Sequence, residues 1–324
     1  MRSARLRVGT GALLALLALL ASVAPSARGQ SVHCSSGFAC EPDDDWQFEE
    51  PDRHVKVVLL AGSIGAFQDG PYAHLVHDWC GNVEIRNLSR VGFGASQLYG
   101  VFQREVLRHR QFPWSDSSVE LWLLWNGGLN SAITSARTNR FIRRTFVDAH
   151  ARHMRVVGLS LTPWGAFDDT RWTGARALET HDSTQRIVDF VMGRGAPGEL
   201  MGAFASDRGA GAPSGYTPEE SADVRVDLND SDLRDRSARA RDIAEMRRVV
   251  SRDGRWRHAF GALPDDQRTA RLDADTTRLA EMGRWFLRSD YRSFDDVHPN
   301  RQGHRRIAEL VCPSLPASWG CRCP

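Results

Sequence analysis

The chain has 324 residues, 41% of them hydrophobic and 25% charged, enough for one large domain with a sizeable core. Its formal charge is +2, and the first 29 residues hold four arginines (Arg2, Arg5, Arg7, Arg28) and no acid, so residues 30–324 carry −2. That balance excludes a protein organised around a concentrated basic face for nucleic acid.

From the N-terminus, residues 1–29 read as a secretory signal peptide. They combine a basic start, an apolar run from Ala12 to Val23 and small residues in Ala27-Arg28-Gly29 before a cut. The run is short for a membrane span, and no other stretch qualifies, so the expectation is an exported protein, secreted or periplasmic, with no membrane span. All six cysteines (Cys34, Cys40, Cys80, Cys312, Cys321, Cys323) lie beyond this leader, and an even number in an exported chain favours disulfides. Cys34 with Cys40 would close a local loop. Cys312, Cys321 and Cys323 would staple the tail to Cys80 and to each other. Zinc is the weaker alternative, because the spacings form no paired Cys-x-x-Cys knuckles.

Residues 30–53 are a polar, acidic lead-in. His54 to Ala61 is a β-branched and aliphatic run of the kind a parallel sheet buries on both faces, and it ends in Gly62-Ser63-Ile64-Gly65. A serine where a strand turns into a helix lifts its hydroxyl to the sheet edge. Further strands are expected at Asn82 to Leu88, Val119 to Trp125 and Met154 to Leu161. The first two end in turns rich in glycine and asparagine: Ser89 to Gln97, with Gly92, and Asn126-Gly127-Gly128-Leu129-Asn130. Helix-length segments between strands, such as Gln97 to Arg110 and Arg137 to Arg152, predict a parallel sheet with helices on both faces.

Near the C-terminus, Asp295 stands three residues before His298, and Pro299 comes next. This spacing lets the carboxylate reach the imidazole Nδ1 and orient it as a general base. Asn300 is placed to cap a helix that docks through Ile307, Ala308, Leu310 and Val311.

Together these four blocks resemble the SGNH hydrolase superfamily, the GDSL-like esterases and lipases. Ser63 in Ala61-Gly62-Ser63-Ile64 matches the nucleophile, Asn87 through Gln97 is similar to the second block with its oxyanion glycine at Gly92, Gly128-Leu129-Asn130-Ser131 resembles the third, and Asp295 with His298 matches the last. The resemblance implies a three-layer α/β/α flavodoxin-like sandwich, a catalytic set Ser63, Asp295 and His298, and an oxyanion hole of Ser63, Gly92 and Asn130, with Asn126 the competing donor. Two positions depart from the pattern: Gly62 and Ser131 stand where the family carries aspartates.

The middle of the chain, about 167–288, is unexplained by the resemblance and reads as a helical insertion. It has a Gly/Ala/Pro/Ser-rich loop at Ser206 to Glu220, expected to be mobile, and an amphipathic helix within Asp230 to Arg257. Trp164, Trp172, Trp256 and Trp285 are expected in the core more than in a sugar or acyl pocket. The expected function is a secreted serine esterase working through an acyl-enzyme without metal or organic cofactor. Its substrate is a small-molecule or glycan ester, an acetylated polysaccharide among them. The alternatives are a catalytically inactive carbohydrate-binding protein of the same fold, and a metal site at Asp295, Asp296, His298 and His304.

Overall fold

The computed structural model describes residues 46–66 and 71–324, together with the backbone of a short antiparallel hairpin, Cys34–Ser36 against Ala39–Cys40. The expected leader and the side-chain closure of Cys34 with Cys40 lie outside the described residues.

Among the described residues, five strands form one parallel sheet: β1 (Val55–Ala61), β2 (Val83–Asn87), β3 (Glu120–Asn126), β4 (Arg155–Leu159) and β5 (Val224–Val226), in the spatial order β2-β1-β3-β4-β5. β1 is central and buried at all seven positions, which is why it reads as an aliphatic run. Its residues alternate between two cores. Val57 and Leu59 join Tyr72, Val76, Ile307 and Val311 on one face, while Val58 and Leu60 join Leu98, Ile142, Phe146 and Ile187 on the other. Lys56 is the one polar residue in β1; its ammonium is buried against Glu84 on β2 at 2.7 Å. Glu84 also accepts the amides of Glu49 (2.6 Å) and Glu50 (3.1 Å), so the charge pair is hydrogen-bonded all round and pins the lead-in to the sheet.

The described residues hold ten α-helices in chain order: α1 (Ser63–Ala66), α2 (Pro71–Trp79), α3 (Ala95–Val101, continuing as a π-helical turn Phe102–Leu107), α4 (Ser135–His150), α5 (Gly174–Val191), α6 (Pro197–Met201), α7 (Ile243–Arg252), α8 (Gly254–Phe260), α9 (Asp265–Ala280) and α10 (Arg301–Val311). The two apolar clusters put α2 and α10 on one face of the sheet and α3, α4 and α5 on the other. The result is the three-layer α/β/α sandwich expected. β5 is not legible in the sequence: it lies inside the middle stretch, is only three residues long and has Arg225 at its centre.

The stretch from Ser206 to Glu220 is folded around Arg208. Its guanidinium donates to the Pro213 and Gly215 carbonyls (2.7 and 2.6 Å) and to the buried Glu220 carboxylate, which Arg143 of α4 also grips at 2.6 Å. The expected amphipathic helix is confined to α7, started by Asp242, whose carboxylate accepts the Glu245 amide at 2.7 Å, and α8 begins just after Asp253. Trp164, Trp172 and Trp256 are buried, and Trp285 carries Arg234 over its ring at 3.8 Å. Disulfides join Cys80 to Cys321 and Cys312 to Cys323. No described helix is long and apolar enough to cross a membrane.

Candidate active site

The strand order turns back between β1 and β3, so the crevice at their carboxyl ends is the topological switch point where open α/β sheets place their ligands. Ser63 stands there, two residues past the end of β1, buried, and the first residue of α1. A first helical residue has no intrahelical acceptor for its amide, so the Ser63 N–H is free to face an anion. The turn is latched to the second block. The Ser89 hydroxyl accepts the Ala61 amide (3.0 Å), and the Asn87 amide donates to the Gly65 carbonyl (2.8 Å). Gly65 is required by this closeness, since a Cβ there would lie 2.6 Å from Ser89 Oγ.

Asn130 comes after β3 on a 3₁₀ turn, Leu129–Thr134, entered through Gly128 at φ 116°. Its Nδ2 donates to the Phe93 carbonyl (3.2 Å) and lies 2.9 Å from where a Cβ on Gly62 would stand. The third block is thus set against the residue before Ser63. Asn126 is engaged elsewhere: it ends β3, is buried, and its Nδ2 donates to the Ser160 carbonyl at 3.2 Å. Both asparagines flank the serine turn: Asn126 pairs in register with Ala61, and Asn130 Nδ2 is set against Gly62. Gly92 lies in the adjoining turn at φ 79°, exposed, with nothing within 4 Å of a Cβ position.

Ser131, a departure from the family pattern, has a visible task. Its hydroxyl accepts the Ala95 amide (3.2 Å) and the Thr138 hydroxyl (2.8 Å), so it ties the start of α3 to the third block where the family's aspartate would be. Ser89, which latches the serine turn, lies within the second block but is not singled out by it; its position at the end of a strand is the available signal.

Asp295 and His298 meet as their spacing predicts. One carboxylate oxygen receives the His298 amide (3.0 Å) and the Val297 amide (3.2 Å), and the other bonds the imidazole Nδ1. Burial works against the charged carboxylate, but these hydrogen bonds outweigh it and hold Asp295 below the usual carboxylate range. The loop is braced by Ser293 N to His298 O (2.8 Å), by Asn300 N to Tyr291 O (2.8 Å) and by the Asn300 side chain, whose oxygen caps α10 while its amide reaches Asp290 O. The amide of Gly165, beyond the end of β4, donates to the Asp296 carbonyl (3.1 Å), which brings the loop to the same carboxyl edge as Ser63. Among the described residues no hydrogen bond joins Ser63 to His298. Catalytic hydrogen bonds are often long until substrate draws the groups together.

The four-residue metal alternative is not assembled. Asp296 turns to Arg292 (2.9 Å), and His304 is buried behind the loop with its ring parallel to Tyr72, centroids 6.1 Å apart. Burial, with a lesser contribution from the charge on His298, pushes His304 down to about 4. Among the described residues the one convergent group of potential ligands is Cys80, Cys312 and Cys321, all spent in disulfides.

No protein-family model matches the chain, and no curated protein matches it. Solved structures with a similar course include a protein described as an acylhydrolase from Bacteroides fragilis (14% identity over 85% of this chain and 92% of that one, TM-score 0.44). A GDSL-like lipase from Bacteroides thetaiotaomicron is 14% identical over 82% of this chain and 89% of its own, TM-score 0.40. An acetyl xylan esterase from Geobacillus stearothermophilus is 8% identical over 83% of this chain and 96% of its own, TM-score 0.40.

Proposed function

We propose that the protein is an exported serine esterase acting on short acyl esters, acetylated glycans among them, with Ser63 as nucleophile and His298, oriented by Asp295, as general base and acid. The observation that carries this reading is the Asp295 carboxylate on His298 Nδ1, held at the carboxyl edge of the sheet where Ser63 opens α1. In the reaction His298 takes the proton of Ser63 as its oxygen bonds to the ester carbonyl carbon. The oxyanion faces the Ser63 and Gly92 amides and Asn130 Nδ2. Its collapse breaks the ester C–O bond, and His298 hands the proton to the departing alkoxide. Water, activated by the same imidazole, then attacks the acyl-serine and releases the acid, restoring Ser63. The Cys80–Cys321 and Cys312–Cys323 bonds support an oxidising compartment.

The test is release of p-nitrophenol from p-nitrophenyl acetate by the mature protein beside Ser63→Ala, with and without chelator. Turnover lost in Ser63→Ala and indifferent to chelator is the expected result. Equal rates for the two proteins would remove Ser63 from the mechanism and bring the carbohydrate-binding alternative forward.

A further inference from the structure

A pocket of about 290 Å³ by Ile133 is lined by the exposed Arg255–Glu179 ion pair, and a second pocket, of about 200 Å³, adjoins the candidate site itself. It lies between the start of α3 and the start of α4 and is lined by Ser96, Gln97, Asn130, Thr134, Arg137 and Phe141 among others. Asn130 belongs to both places: its Nδ2 is set against Gly62, and its residue forms part of the pocket wall. The pocket and the serine turn thus share Asn130 as a common wall.

The lining has a distinct chemistry. Serine and threonine hydroxyls, the side-chain amides of Gln97 and Asn130 and an aromatic ring suit a polyhydroxylated ring, and no acidic residue lines the pocket. Arg137 supplies the only charge in the lining. Helix α4 carries four arginines, and three have acidic partners: Arg140 and Arg144 share Asp207, and Arg143 holds Glu220. Arg137, the one nearest the site, makes no ion pair among the described residues; its guanidinium carbon lies 6.0 Å from the Phe141 ring centroid. Arg137 is exposed, so an anion bound in the pocket would meet an open guanidinium whose planar fork matches a carboxylate.

We propose that this pocket is a subsite for the alcohol half of the substrate and that Arg137 reads a carboxylate on it, so that the preferred ester is an acylated uronic acid rather than an acylated neutral sugar. The inference rests on the esterase reading for its placement of the ester, but the subsite can be tested apart from it.

Two measurements separate the two. The first compares kcat/KM for acetylated galacturonic acid and acetylated galactose in wild type, Arg137→Met and Arg137→Lys. A wild-type preference for the acid that falls about tenfold in Arg137→Met, through KM, and returns in part in Arg137→Lys supports the subsite. Equal use of the two sugars, or a preference that survives Arg137→Met, overturns it. The second is calorimetric titration of galacturonic acid into the full-length protein and into Arg137→Met. If no ester is hydrolysed by any variant, uptake that depends on Arg137 sustains the subsite while the esterase reading falls, and uptake that is absent or unchanged in Arg137→Met removes the subsite as well.

Discussion

Asn130 occupies the space that a side chain at Gly62 would need, its Nδ2 standing 2.9 Å from the Cβ position. The glycine where the resemblance leads one to look for an aspartate is therefore not a simple loss. The serine turn and the asparagine amide are packed against each other, and the Phe93 carbonyl that accepts this amide lies 3.3 Å from the same Cβ position.

Restoring an aspartate should therefore do harm. Gly62→Asp is expected to displace Asn130 and lower kcat/KM for p-nitrophenyl acetate by roughly 100- to 1,000-fold, the usual cost of one oxyanion donor. Asn130→Ala should cost about the same. Because both act through one amide, the double variant should be little worse than either single one, whereas multiplied losses would show that the two residues act separately.

Asp295→Asn keeps the shape of the loop but removes the charge that fixes the His298 tautomer. Turnover is expected to drop on the order of 10³- to 10⁴-fold with KM little changed. An Asp295→Asn protein that retained most of its kcat would sink the role given to this carboxylate.

His304 gives a pH signature in stability. Its folded value, about 4, lies below the ordinary 6.5, so the unfolded chain takes up the proton first as the solution is acidified. Stability should be level above pH 6.5 and decline as the pH falls toward 4, by on the order of 3 kcal/mol for a full proton uptake. Urea unfolding across this range should show the slope in the wild type and a flatter line in His304→Gln. The same slope in both proteins would assign it to other groups.

The disulfides should differ in weight. Cys80–Cys321 spans 241 residues and Cys312–Cys323 spans 11, which on loop-closure entropy gives upper figures of about 5.5 and about 3 kcal/mol. Paired serine substitutions, compared by denaturant midpoint, should rank in that order. The reverse ranking would mean that the tail contributes mainly through its local packing.

Much of this architecture is legible in the chain alone. β1 announces itself because a strand buried on both faces reads as a mostly aliphatic run, and Asp295 finds His298 because a short loop between them leaves few other places to go. The different settings of Asn126 and Asn130 are not legible, because both follow from the same strand and their partners, Ser160 and Phe93, come from distant loops. Nor are the latches at Ser89 and Ser131, whose hydroxyls act on backbone amides across the turn and leave no periodic trace. β5 escapes because a three-residue strand carries too little pattern to be distinguished from a loop.

That short strand changes what the middle of the chain can be taken for. Val224–Val226 pairs in register with Val157–Leu159 and supplies hydrogen-bonding partners along the outer side of β4. Trimming 167–288 to obtain a minimal enzyme would therefore not shed an appendage. It would strip a neighbour from the sheet, leave the β4 backbone as an open template for another molecule's strand, and turn a smaller protein into an aggregating one.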